Sequence, residues 1–129
     1  MERVPIKVEY LLRASPAFLY QFFTSASDLV RWFCDGADVS RDKVYTFTWD
    51  GYDEVARLVE DIENELIRFA WEDEDRKGEY LEVKFSKSPV TRETILEITD
   101  FCDEDEVEDQ KALWETQIQQ LKKVSGLGR

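Results

Sequence analysis

Apolar and polar residues change their spacing twice along this chain, and the changes mark out its elements. Val4, Ile6, Val8, Tyr10 and Leu12 alternate with Pro5, Lys7, Glu9 and Leu11, which predicts a strand with one buried face. Ser15-Pro16 then opens a helix, with Ser as cap, Pro in the first turn and Leu19, Phe22 and Phe23 on its inner side. Tyr20 falls near the edge of that side. A second short helix follows, with Ser27 as cap, Leu29, Trp32 and Phe33 as its apolar face and Cys34-Asp35-Gly36 as its exit. From there to Phe101 the period is two. The spacing predicts strands over Val44–Trp49, Val55–Glu60, Leu66–Trp71, Tyr80–Ser86 and Thr94–Phe101, joined by turns at Asp50-Gly51, Glu72–Gly78 and Ser86–Arg92.

The helical period returns at the end. Asp105 to Gly126 reads as one long amphipathic helix, with Leu113, Trp114, Ile118, Leu121 and Val124 on one stripe. Asp105 is placed to cap it and Glu108 follows three residues on, as in a capping box. Acids at its start, Lys122 and Lys123 near its end and Gly126 as its stop all suit the helix dipole. A rod of that length needs a sheet to lie against. Short antiparallel strands with helices segregated to one side define an α+β fold, read here as one domain over residues 1–129.

The order of these elements carries a resemblance. Ser15-Pro16-x-x-Leu19-Tyr20-x-x-Phe23-Thr24-Ser25, leading to Leu29-x-x-Trp32-Phe33, is similar to the START-like (SRPBCC) superfamily and its helix-grip fold. Thr46-Phe47-x-Trp49-x-Gly51, Ile67-Arg68-Phe69-x-Trp71 and Ile98-Thr99-Asp100-Phe101 extend the match, followed by Leu113-Trp114-x-x-Gln117-Ile118-x-x-Leu121-Lys122. These resemble small members grouped with heat-shock protein 90 ATPase-activator homologues. The resemblance implies a curved antiparallel sheet gripping the last helix, and a cavity between them in many relatives. A proline that such relatives often carry after the second helix is replaced here by Cys34, Asp35 and Gly36.

Composition narrows the chemistry. Hydrophobic residues at 43% and aromatics at 13% supply a core, which argues against global disorder. A net charge of −12 opposes nucleic-acid partners and anionic membrane surfaces. No apolar run has the length of a membrane span and no apolar signal region precedes the first strand, so the expected setting is the cytoplasm. Cys34 and Cys102 fit neither a zinc spacing nor a redox pair, and both are expected as reduced thiols. The absence of histidine removes Ser-His and Cys-His nucleophiles and His-ligated metals, so neither an enzyme nor a cofactor is expected.

The Glu72–Gly78 run admits a calcium reading, since Asp73, Asp75 and Gly78 match three EF-hand positions. Lys77 and Lys84 occupy ligand positions of that loop, which favours a solvated hairpin tip. Arg57 and Glu97 interrupt apolar strands, and the expectation is that both face outward rather than into a cavity.

The aromatics are the strongest functional signal. On the strands, Phe47, Trp49, Phe69, Trp71, Phe85, Leu96 and Ile98 fall on faces expected to converge. On the helical segments, Trp32 and Phe33 are expected near a cavity mouth, with Trp114, Ile118 and Leu121 on its far wall. Such residues form ordinary core, and they are also what lines a pocket for an apolar ligand. The leading expectation is a module that binds a small hydrophobic molecule or lipid between sheet and helix. The alternative is a protein-interaction or co-chaperone module with a chaperone partner.

Overall fold

The computed structural model describes residues 2–127. Its strands are β1 (Arg3–Leu12), β2 (Gly36–Val39), β3 (Val44–Trp49), β4 (Tyr52–Ile62), β5 (Leu66–Trp71), β6 (Tyr80–Lys87) and β7 (Thr94–Asp103). Its helices are α1 (Pro16–Thr24), α2 (Ala26–Leu29) and α3 (Val107–Ser125). The strands form one antiparallel sheet in the order β1-β7-β6-β5-β4-β3-β2. From β2 to β7 this is a meander. β1 stands apart in sequence from its sole neighbour, pairing Arg3 with Asp103 at one end and Leu12 with Thr94 at the other.

One face of the sheet is apolar because the alternation is in register across every pairing. Tyr45 stands opposite Ala56, Ala56 opposite Trp71, Phe69 opposite Leu81 and Val83 opposite Ile98. All of these are buried. The pairing of β4 with β5 slips between Leu58 and Glu60, leaving Val59 as an extra residue. A bulge of this kind bends its strand and increases twist, which curves the sheet toward the helices. The β3–β4 hairpin turns on Asp50 and Gly51, both with positive φ (47° and 84°), the conformation a two-residue hairpin loop requires.

α1 begins where the Ser15 hydroxyl accepts the Phe18 N–H at 3.1 Å, with Pro16 in the first turn. Leu19, Phe22 and Phe23 are its buried side. α3 buries Trp114, Ile118 and Leu121, spaced one and two turns apart, against the sheet. It stops at Gly126 (φ 84°), where the Leu127 N–H returns to the Lys122 carbonyl at 2.7 Å. None of the helices described is long and apolar enough to cross a membrane.

The structure departs from the pattern reading in five places. Residues Glu104–Glu106 form a separate 3₁₀ turn, so α3 begins after Glu106 and Asp105 does not cap it. Leu113 is half exposed, because a stripe centred on Trp114, Ile118 and Leu121 leaves it at the margin. α2 begins after Ser25 and ends at Leu29, so Trp32 and Phe33 lie in the turn beyond it, and Ser27 is inside it. β4 is longer than expected at both ends. β2, an edge strand, was not legible in the pattern at all.

Arg57 and Glu97 both lie on the outer face, as expected. Arg57 pairs with Glu72 at 3.4 Å, and Glu97 pairs with Lys7 at 3.8 Å and Lys84 at 3.9 Å. Asp73 accepts the Asp75 N–H at 2.8 Å and so holds the turn of the β5–β6 hairpin.

Both cysteines are free and buried. Burial pushes the Cys34 thiol up to about 11, with Asp35 adding to the shift, and raises Cys102 as well. A thiol-alkylating reagent at pH 8 should therefore leave both unlabelled in the folded protein and label both in denaturant. Rapid native-state labelling, read by mass, would show that the sulfurs are reachable.

Candidate functional site

The twelve expected site residues divide into two groups. Phe47, Phe69, Phe85, Leu96, Ile98, Ile118 and Leu121 are all at most 4% exposed and pack into one another as core. Trp32 joins them. Its ring meets Phe23 edge-on at 4.9 Å and its indole N–H donates to the Phe22 carbonyl at 2.8 Å, and it does not line the cleft described below. The interior between sheet and helix is thus filled along most of its length. Phe33, Trp49, Trp71 and Trp114 are the four brought together around open space.

That space is a cleft of about 320 Å³ at one end of the grip. Its wall on α3 is Gln110, Leu113, Trp114 and Gln117, spaced so that they share one face. Its floor comes from the ends of β3, β4, β5 and β6, through Trp49, Glu54, Trp71 and Leu81. Phe33 closes it from the turn after α2. The Phe33 carbonyl accepts from Trp49 Nε1 at 2.7 Å and from Gln117 Nε2 at 3.3 Å, tying turn, sheet and helix together. The Phe33 ring stacks toward Trp114 (6.0 Å, 27°) and meets Trp49 edge-on (5.3 Å, 76°).

A charged cluster underlies the aromatics. Asp100 falls in phase with Leu96 and Ile98 and so points inward, where a bare carboxylate would be costly. One of its oxygens accepts Trp114 Nε1 at 2.8 Å and Gln110 Nε2 at 3.0 Å, and the other accepts the Phe101 N–H at 2.8 Å. Arg76, from the β5–β6 hairpin, reaches three carboxylates: Glu79 at 3.2 Å, Glu54 at 3.3 Å and Asp100 at 3.9 Å. Its guanidinium lies 4.3 Å over the Trp71 ring. Glu79 is also gripped by one edge of the Arg3 guanidinium, whose Nε and Nη2 each donate to a carboxylate oxygen at 2.8 Å. The Arg3 hydrogen bond, opposed by burial and aided by Arg76, holds the Glu79 carboxyl below its usual range.

Three of the four tryptophans therefore have a partner for the indole N–H. Trp32 gives it to Phe22, Trp49 to Phe33 and Trp114 to Asp100. Trp71 does not: its Nε1 is enclosed and is the one buried side-chain polar atom without a hydrogen bond among the described residues. Leaving such a group unmatched costs about 1–3 kcal/mol.

The sequence reading did not single out Glu54, Arg76 and Asp100 as parts of this site. Asp100 and Glu54 carried a signal, since each is in phase with buried residues of its strand. Arg76 sits in a turn, where no period marks it.

The model of the START-like superfamily domain matches residues 1–127. The chain belongs to the START-like superfamily. The curved sheet, the long terminal helix and the helices after β1 are its helix-grip fold. The solution structure of the Aha1 dimer from Colwellia psychrerythraea is similar to this START-like domain over 98% of each chain (TM-score 0.80, 18% identity). The solution structure of BfR322 from Bacteroides fragilis is 34% identical, over 96% of this chain and 92% of that one (TM-score 0.66). Protein MLL2253 from Mesorhizobium loti shares the fold at 14% identity, over 93% and 95% (TM-score 0.76). No curated protein matches the chain.

Proposed function

We propose that this START-like domain is a non-enzymatic binding module that takes a small hydrophobic ligand in the cleft between sheet and α3. The observation that carries the reading is the open space of about 320 Å³ walled by Phe33, Trp49, Trp71 and Trp114 in an otherwise filled interior. Aromatic walls with a few fixed polar groups are what a small-molecule site is made of. Burying a ligand there gains about 25 cal/mol per Å² removed from water, less the cost of immobilising it. The filled interior limits the ligand to the size of one end of the grip, which favours a compact molecule over a long acyl chain. Three of the cleft's walls are tryptophans, so binding should report on itself. A naphthalene-sized probe should change tryptophan fluorescence with saturation, and should raise the melting temperature by mass action. Leu113→Trp, which adds bulk at the half-exposed margin of the cleft, should abolish both effects at unchanged stability. Absence of saturable binding by any such probe would move the protein-interaction reading into first place. Its surface would then be the acidic loops and the outer side of α3.

A further inference from the structure

We infer that the ligand of this cleft is an uncharged aromatic molecule carrying a hydrogen-bond acceptor, and that Trp71 reads the acceptor through its indole N–H. The inference rests on the binding reading above and adds the chemistry of what binds.

The charge of the cleft decides against an anion. Among its lining residues Arg76 is the one cation, facing the carboxylates of Glu54 and Asp100. Its guanidinium is already shared between those two and Glu79. An incoming carboxylate would find no unengaged cation there and would sit beside two fixed negative charges. The walls decide for a flat ring. Phe33 and Trp114 stack within 27° of parallel, and Trp49 closes on Phe33 at a steep angle, so the apolar surfaces on offer are ring faces and edges.

The indole N–H groups decide between a neutral ligand and a cation. A cation would meet ring faces and the half-exposed Glu54, yet it offers no lone pair to Trp71. Every other tryptophan here has its N–H matched by a carbonyl or carboxylate, so of the three tryptophans that line the cleft Trp71 is the one whose N–H has no partner. Its nitrogen is covered, and an acceptor meets it once the side chains over it part. A carbonyl or ether oxygen on an aromatic skeleton then satisfies the indole without bringing charge.

Four probes on one skeleton test this by calorimetry on the full chain: acetylnaphthalene, ethylnaphthalene, naphthoate and naphthylmethylammonium. The ketone should bind tightest, about tenfold tighter than the hydrocarbon, the size of one net hydrogen bond. Naphthoate should be weaker than the hydrocarbon. Trp71→Phe should erase the ketone's advantage over the hydrocarbon, whatever it does to the affinity of both. Nuclear magnetic resonance of the unaltered protein provides a reading without substitution: the Trp71 indole N–H signal should move downfield with the ketone relative to the hydrocarbon, and the other three should not. Equal binding of ketone and hydrocarbon, a ketone advantage that survives Trp71→Phe, or tightest binding of either charged probe overturns the inference while the cleft remains a binding site. Failure of all four to bind removes the binding reading itself, and this inference with it.

Discussion

Trp114→Ala should lower stability by about 3–5 kcal/mol, the cost of truncating a buried aromatic, out of the 5–15 kcal/mol typical of such a domain. Trp114 is 2% exposed, stacks toward Phe33 and occupies the point where α3 turns from cleft wall to core. Truncation removes the ring and also takes a donor from the inward carboxylate of Asp100, which accepts Trp114 Nε1 at 2.8 Å. Both effects act in the same direction. The melting temperature should fall by roughly 15 °C on that scale. Trp114→Phe separates the two contributions, since it keeps most of the packing and loses the donor; about 1–2 kcal/mol should remain as the penalty. A melting temperature unmoved by the alanine substitution would mean that α3 does not grip the sheet through this residue.

The second large effect is expected at Arg76. Arg76→Met keeps an apolar stem against Trp71 but removes the cation shared by Glu54, Glu79 and Asp100. Glu79 and Asp100 are both buried, and breaking such a pairing from one side costs on the order of 3 kcal/mol. Its pH dependence identifies the cause. In the unaltered protein the Glu79 carboxyl is held below its ordinary 4.5 by Arg3 first and by Arg76 in addition. A depressed carboxyl contributes stability that is complete above the ordinary value and is lost as pH falls through the folded one. Part of that contribution is missing from the variant at neutral pH. The gap between the two proteins should therefore be widest near pH 7 and should narrow in acid, where Glu79 is protonated in both. Denaturant unfolding at a series of pH values measures it, and a gap constant from neutral pH into acid would assign the loss to packing instead.

How much of this was legible depends on whether a residue's role follows from a period. The strands β3, β5, β6 and β7 could be read because each presents alternate residues to one filled face, and the register then aligns them. β2 could not: Gly36–Val39 is a short edge strand whose residues are half-buried or exposed, so no alternation of burial constrains its sequence. The start of α3 was misplaced for a related reason. Glu104, Asp105 and Glu106 all suit a helix N-terminus, and side-chain type alone does not say which acid precedes the first α-helical turn. In the cleft, the four aromatics were legible as apolar positions, while their division from the core was not. Phe33 and Phe47 have the same chemistry, and only the path of the turn after α2 sets one beside open space and the other inside. Arg57 and Glu97 drew notice as charges within strands and proved to belong to outer-face pairs. The charge that does enter the site on a turn, Arg76, is placed by the β5–β6 hairpin, a three-dimensional fact with no periodic trace.

The pairing of β1 with β7 constrains when this protein can exist at all. Arg3 meets an aspartate one hundred positions further along. A chain emerging from the ribosome carries β1 without any partner until β7 has been made, and the meander β2 to β6 must wait with one open edge. Closing that loop is an entropic cost met late, and contacts of such long range slow folding in general. The order of synthesis and the order of assembly are thus opposed: β1 is made before the whole meander yet is secured only by its last strand, and α3, made after β7, closes over a sheet which that pairing completes.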